Sequence, residues 1–415
     1  MPKKILPLVK QFNVDGLSGV AIKDLTRKKR IVSHMSSKDE ITINDISETL
    51  NISIPKASEL INDLAEGGFI KETSKRSVGQ GRKASFYALR ADSHYFLGIE
   101  IKKYKINIGL MGFDKVIVQS KTDIPFLYKE ASESLTEVVQ IINTFLDEIK
   151  VERNKIAGLG LSIAGRINVK TGKILTIYHF GDAPVKDVLE TELGIPVYLD
   201  NDSRTIAYGE FHFGKRVLEK EVLILNLDYG IALGIFVNGK PVYGASGYAG
   251  ELGHIPLFDN EKICFCGKKG CFETETSGKA LIERLTDQMN KGSNSILQPV
   301  LERKGFLELE DIISAVTRGD SLTLQTISSI AEKLGRGLAV AINIFNPELI
   351  IISGIMSAAG DSLLLPVKNS IIMHSLTLVN NDTTIVLSDL YNRAGVLGCC
   401  LLVRDKILGL IEHSF

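Results

Sequence analysis

Four residues within eighteen positions carry a distinct chemistry. His254 is followed by Cys264-Phe265-Cys266-Gly267-Lys268-Lys269-Gly270-Cys271. One imidazole and three thiols in C-x-C and C-x4-C spacing supply a Cys3His set, the donors that tetrahedral zinc takes in a closed, structural site. Gly267 and Gly270 let the loop fold on itself, and Lys268 and Lys269 should help keep the thiolates ionised. Cys399 and Cys400 are adjacent. Such tight groups suit a metal site in a reducing cytoplasm and not a disulfide framework.

A second constellation lies near the start of the chain. Thr42 is placed to cap a helix whose apolar positions Ile43, Ile46 and Leu50 recur at helical spacing. Asn51 breaks it, and Ser53 can cap a second helix to about Glu66, with Pro55 in its first turn and Ala57, Leu60, Ile61 and Leu64 as its buried stripe. Two short helices joined by a tight turn form a helix-turn-helix, preceded by a helical pattern over Val20–His34. Gly67-Gly68 ends the second helix. FIKETSKRSVGQGRKASFYAL then predicts two strands around a wing, whose glycines permit close approach to a groove and whose cations suit its potential. Ser53, Ile54, Lys56, Ala57 and Ser58 open the second helix, the end expected at base edges, and Gln80, Arg82 and Lys83 come from the wing. Short helices with a hairpin also suit a protein-interaction module with solvated charges.

Charge separates the two readings. The 415 residues balance 49 Lys and Arg against 49 Asp and Glu. Residues 1–90 hold sixteen basic and ten acidic side chains, a net of +6, so the remainder is −6. A basic module on an acidic body favours nucleic acid as the partner of the first 90 residues. At 44% hydrophobic and 24% charged, the chain is expected to be globular, with two to three domains. No apolar run approaches a membrane span, and MPKKILPLVK lacks a signal peptide's apolar stretch, so the expected location is the cytoplasm, away from membranes.

From Tyr95 the pattern changes to strands alternating with helices, which predicts α/β architecture with ligands at glycine-rich strand ends. Here Gly250-Glu251-Leu252-Gly253-His254 and the cysteine loop through Phe272-Glu273 resemble the signature of the ROK family (repressors, open reading frames and sugar kinases), over about Tyr95 to Cys400. With the winged helix-turn-helix ahead of it, the chain resembles the family's transcriptional-repressor branch. The resemblance implies a two-lobed, actin-like (ribonuclease H-like) sugar-kinase body: residues 91–210 with 385–415 as a small lobe and 211–384 as a large lobe, after a DNA-binding domain at 1–90. It implies sugar binding by Asn201, Asp202, Glu251, His254 and Glu273, with His254 also a zinc ligand and Asp202 at the position of the kinases' base. Each acid alone also reads as a cap or a surface charge. The family's Asn-Leu and Trp before this strand are absent from Leu175-Thr176-Ile177-Tyr178-His179-Phe180, and Asp200 stands where a Glu or apolar residue is common.

The phosphate loops decide between two activities. Family kinases open with Asp-x-Gly-Gly-Thr-Lys; this chain has Glu100-Ile101-Lys102-Lys103-Tyr104-Lys105. Their second loop, Gly-Thr-Gly-x-Gly-x-Gly, is here Asp228-Tyr229-Gly230-Ile231-Ala232-Leu233-Gly234, and the adenosine side keeps Ser353-Gly354. Phosphoryl transfer needs such loops for positioning, so no catalysis is expected and Asp202 is read as a vestigial base that still binds sugar. The expected function is a sugar-responsive regulator, a repressor by family habit. It binds operator DNA as a homodimer or a tetramer and responds to a sugar or sugar phosphate through lobe closure. Helices near Ile330–Ile344 and Leu363–His374 are dimer candidates or core. The alternatives are an ATP-dependent sugar kinase with an accessory domain, and a scaffold whose body binds a transporter component.

Overall fold

The computed structural model describes residues 12, 17–77, 83–129, 131–165, 167–168, 173–174, 184–214, 218–245 and 247–411. Helix α1 (Gly19–Met35) buries Leu25, Ile31, Val32 and Met35. The two-residue strand β1 (Ile41–Thr42) leads into α2 (Ile43–Leu50), where Thr42 and Asp45 form a reciprocal capping box. Asn51 closes α2 in the left-handed region at φ 51°, a conformation that Asn tolerates. Helix α3 (Ile54–Glu66) follows, but the Ser53 side chain makes no capping bond. Strands β2 (Ile70–Ser77) and β3 (Lys83–Leu89) pair antiparallel, and β1 adds to β3, completing a winged helix.

The body is built from two five-stranded sheets of one plan. In the first, β4 (Tyr95–Ile101), β5 (Lys105–Gly112) and β6 (Ile117–Pro125) form an antiparallel meander. Then α4 (Ala131–Ile149) crosses to β7 (Ile156–Ile163), which pairs parallel with β4. The short pair β8 (Ile167–Asn168) and β9 (Lys173–Ile174) precedes α5 (Val185–Leu193) and β10 (Val197–Asn201), parallel to β7. After α6 (Asp202–Phe213), the plan recurs as β11 (Val222–Leu227), β12 (Ile231–Val237) and β13 (Lys240–Pro241). The helical segments α7 (Glu273–Thr276), α8 (Gly278–Asn290), α9 (Gln298–Lys304), α10 (Leu309–Thr317) and α11 (Ser321–Phe345) lead to β14 (Leu349–Ser353). Finally α12 (Asp361–His374), α13 (Thr377–Asp382) and β15 (Thr384–Leu387) precede the C-terminal helix α14 (Ala394–Leu408). The orders β6-β5-β4-β7-β10 and β13-β12-β11-β14-β15 are the same topology twice. Strands β7 and β14 are buried along their whole length, as parallel strands covered on both faces must be, which is why they read as mostly apolar runs.

The chain divides into two compact units, residues 1–202 with 399–414 and residues 203–398. In the first, the winged-helix core of Ile31, Ile46, Leu60 and Ile61 is continuous with Phe96, Phe113, Ala157, Val403 and Ile407 of the body. A module that shares its apolar core with its neighbour is not a bead on a linker. In the second, α11 supplies Ile330, Leu334, Leu338 and Ile342 to the core, while Ile344 near its end is exposed. There α6 and α14 cross backbone to backbone: a Cβ on Gly209 would lie 2.0 Å from the Ala394 carbonyl oxygen, and one on Gly398 would lie 1.7 Å from that of Thr205.

Candidate functional site

The cysteine loop is shaped by glycines that no other residue replaces. Gly250 (φ 88°) presses so close to β12 that a Cβ would lie 1.8 Å from the Leu233 oxygen, and at Gly270 (φ 73°) one would lie 2.4 Å from the Phe258 oxygen. Gly267, at φ 86°, donates its N–H to the Cys264 carbonyl at 2.8 Å, turning the chain so that Cys264 and Cys266 face inward. The bridges Pro256 to Cys271 and Ile263 to Lys269 close the loop.

The four donors converge. Cys266 Sγ lies 3.6 Å from Cys271 Sγ, and Cys264 Sγ lies 3.5 Å from His254 Nδ1. All four ligand atoms lie within 4.8 Å of one another. Zinc–sulfur bonds of about 2.3 Å set tetrahedral edges of roughly 3.5–3.8 Å, so the donor set fits the ion. Burial, with the Glu273 carboxylate next, pushes the Cys264 thiol well up, and burial does the same for Cys271. Burial also opposes ionisation of Cys266, yet the Lys268 backbone N–H and the neighbouring thiols bring it below its ordinary value. The help comes from the Lys268 backbone; the Lys269 ammonium pairs with Glu261 instead.

The sugar-binding candidates fall in both units. Asn201 and Asp202 stand where β10 passes into α6. The Asn201 N–H donates to Asp200 Oδ1 at 2.9 Å and its amide to the Gly165 oxygen at 2.9 Å. In the second unit Glu251, His254 and Glu273 come together around one imidazole: Nε2 lies 3.5 Å from Glu251 and Nδ1 3.4 Å from Glu273. Glu273 Oε1 also accepts from the Cys264 thiol at 2.8 Å, so metal donors and polar candidates form one cluster.

Composition and motif reading missed several supporting residues. Register places Glu100, Ser162 and Asp200 side by side on β4, β7 and β10, each at most 2% exposed. Asn107 bonds Glu100 at 2.8 Å. Asp200 is therefore part of a buried polar row beneath Asn201, and its only sequence signal was a second acid in LDND. The row recurs in the second sheet, where Asn226 pairs with Ser353 and buried Glu210 accepts from Ser353 and Ser388. Glu275 is 6% exposed and anchors the cysteine loop through Lys262 at 3.1 Å, Arg284 at 2.8 Å and Lys333. At the first phosphate-loop position, Lys102 N–H donates to the Lys105 oxygen at 2.9 Å across a tight hairpin, and Lys105 pairs with Asp123 at 2.8 Å. At the second, Asp228 Oδ1 accepts the Tyr229 N–H at 2.9 Å.

In the winged helix, Ser53 and Ile54 are exposed and Ser58 half-buried at the start of α3. Lys56 is held by Asp24 and Glu59, both at 2.8 Å. Ala57, expected both in the buried stripe and at the groove, is 0% exposed and serves only the core. Lys83 is exposed at the foot of β3; Gln80 and Arg82 lie outside the described residues, as does Leu175–Phe180.

Comparison with known proteins agrees with this architecture. The winged helix-turn-helix DNA-binding profile matches residues 25–71, and the ROK family profile matches residues 96–406. A glucokinase of Halalkalibacterium halodurans is 31% identical over 75% of this chain and 96% of its own length. A putative xylose repressor of a Caldicellulosiruptor species is 26% identical over 93% of this chain and 96% of its own. A crystal structure of a ROK family transcriptional regulator, a homologue of the Escherichia coli MLC protein, superposes with a TM-score of 0.79 at 25% identity, covering 93% of this chain and 97% of that one. The kinase relative covers 75% of the chain, whereas the putative repressor and the regulator structure each cover 93% of it. The chain belongs to the ROK family.

Proposed function

We propose that this protein is a sugar-responsive transcriptional regulator, a repressor that binds operator DNA as a homodimer and changes its affinity when a sugar or sugar phosphate occupies the body. The observation that carries this reading is a winged helix, exposed at the start of α3, sharing one apolar core with a ROK body. Asn201, Asp202, Glu251, His254 and Glu273 are the proposed hydroxyl-binding groups, since a polyol needs a partner for each desolvated hydroxyl. His254, Cys264, Cys266 and Cys271 would hold a structural zinc ion, which supplies a fixed cross-link between the Leu252–His254 turn and the cysteine loop. Ser53, Ile54, Lys56 and Ser58, with Gln80, Arg82 and Lys83 of the wing, are the proposed DNA contacts.

Dimerisation is supported by α12, α13 and the turn between them, which leave Leu365, Ile372, Met373, Leu376 and Leu378 between 54% and 76% exposed. Apolar patches of this kind mark interfaces, and a two-fold pair of winged helices suits an inverted repeat. No helix among the described residues is long and apolar enough to cross a membrane, and the proposed location is the cytoplasm.

A second reading, an active sugar kinase, is favoured by the 31% identity to a glucokinase. Lysines and tyrosine in the β4–β5 turn and Asp228 in the second loop argue against it, because these positions must cradle phosphate with backbone N–H groups. A coupled assay for ADP with saturating ATP and a panel of monosaccharides tests the choice. Background ADP is expected; steady turnover on any sugar would favour the kinase.

A further inference from the structure

Three consecutive charged residues of α14 sit where charge is costly. Arg404 is 0% exposed, Asp405 5% exposed, and the Lys406 side chain 11% exposed. Arg404 Nε donates to the Phe113 oxygen at 3.0 Å, Nη1 to Asp405 at 2.8 Å and Nη2 to Ser36 Oγ at 2.5 Å, with the guanidinium 5.6 Å from the Phe113 ring centroid. Ser36 caps α1, and its hydroxyl donates to the Val32 oxygen at 2.7 Å. Lys406 reaches Asp200 Oδ2 at 3.4 Å, while Asp200 Oδ1 takes the Asn201 N–H at 2.9 Å.

Residues two apart on a helix point about 200° apart. One flank of α14 is therefore tied through Arg404 to the end of the first helix of the DNA-binding module, and the other through Lys406 to the strand that ends in Asn201-Asp202. All of these residues belong to the first compact unit. A buried guanidinium satisfied by a carbonyl, a carboxylate and a hydroxyl is a poor device for stability alone, since an apolar side chain would fill the space without desolvating a charge. What it supplies is a directional joint, broken or made as a whole.

We propose that α14 is the transmission element between effector and operator, with Arg404 and Lys406 as positioning residues: a displacement of Asp200-Asn201 on effector binding moves Lys406, turns α14, and shifts Ser36 and the DNA-binding module with it. Coupling requires such an element, biased from both ends. This inference rests on the sugar-responsive reading above, but part of its test does not.

The first arm uses the full chain without effector. Lys406→Met should speed backbone hydrogen exchange at residues 32–38 at least fivefold, although the substitution is on the far flank of α14, with exchange in α11 of the second unit unchanged. Unaltered exchange at 32–38 overturns the proposal. The second arm measures affinity for a duplex selected from a random pool, with and without saturating D-glucose, D-xylose or N-acetyl-D-glucosamine 6-phosphate. The sugar that shifts the unmodified chain at least tenfold should shift Lys406→Met and Arg404→Lys less than twofold, while calorimetry finds its own affinity within threefold. Folded variants that keep the full shift overturn the proposal. If none of these sugars shifts the unmodified chain, the sugar-responsive reading fails, and the exchange arm alone decides whether α14 is the joint.

Discussion

Cys266 Sγ stands 3.6 Å from Cys271 Sγ across the folded loop, with neither thiol in a disulfide. Two sulfurs held at a tetrahedral edge by the glycine turn at Gly267, with His254 and Cys264 completing the set, form a donor cluster that could hold a metal ion. The chain should bind about one zinc ion, and Cys271→Ser should lose it together with about 3–5 kcal/mol of stability in the second unit. Elemental analysis and denaturant unfolding check both. Because the donors bind metal only after losing their protons, zinc should be released as the pH falls.

Lys56 is held by Asp24 and Glu59 rather than extended into solvent. Lys56→Ala should weaken operator binding across sequences and reduce the salt slope by about one. Asp24→Asn frees Lys56 from this ion pair and removes an anion beside the proposed DNA contacts, so it should strengthen binding to unrelated duplexes and narrow the gap between specific and non-specific affinity. Fluorescence anisotropy over a salt series reads both effects.

His94 stacks on Phe69 at 5.7 Å, and burial lowers its pKa to about 4. The unfolded imidazole titrates near 6.5, so its folded value is depressed. Its contribution is present above pH 6.5 and is lost as the pH falls from 6.5 to about 4, where unfolding takes up a proton that the fold resists. His94 is only half-buried, which keeps the loss to about 1–3 kcal/mol. A melting series from pH 7 to 4 should show it, and His94→Phe should flatten the slope.

Ile372 and Met373 are 64% and 76% exposed on α12. Ile372→Asp with Met373→Glu should halve the mass seen by light scattering while leaving the fold intact. Operator affinity should fall by at least about tenfold, since each half-site then binds alone.

The parts of the fold legible in the chain are those governed by local rules. Thr42 and Asp45 spell a capping box, Asn51 supplies a left-handed stop, and β7 and β14 are mostly apolar stretches. The convergence of His254, Cys264, Cys266 and Cys271 was legible because their spacing is short. Ala57 was misplaced at the groove because helical spacing alone does not tell a core alanine from a groove alanine at the same end of a helix. Glu210, Glu275 and Arg404 gave no local signal, since a buried charge becomes intelligible only beside the partners that satisfy it, here up to 368 residues away. The Asp200 row likewise depends on strand register, which no motif states.

If one chain joins effector binding to DNA binding, a single titration shows it. Full-length protein is added to a labelled duplex selected from a random pool, with and without each sugar or sugar phosphate of a panel. The account predicts saturable, salt-sensitive binding, and for one member of the panel a change in affinity of at least about tenfold, or 1.4 kcal/mol. That change should be abolished by Glu251→Ala and occur without ADP formation when ATP is present. A chain that selects no duplex from the pool, or one that turns over ATP with that sugar while its DNA affinity stays constant, would contradict it.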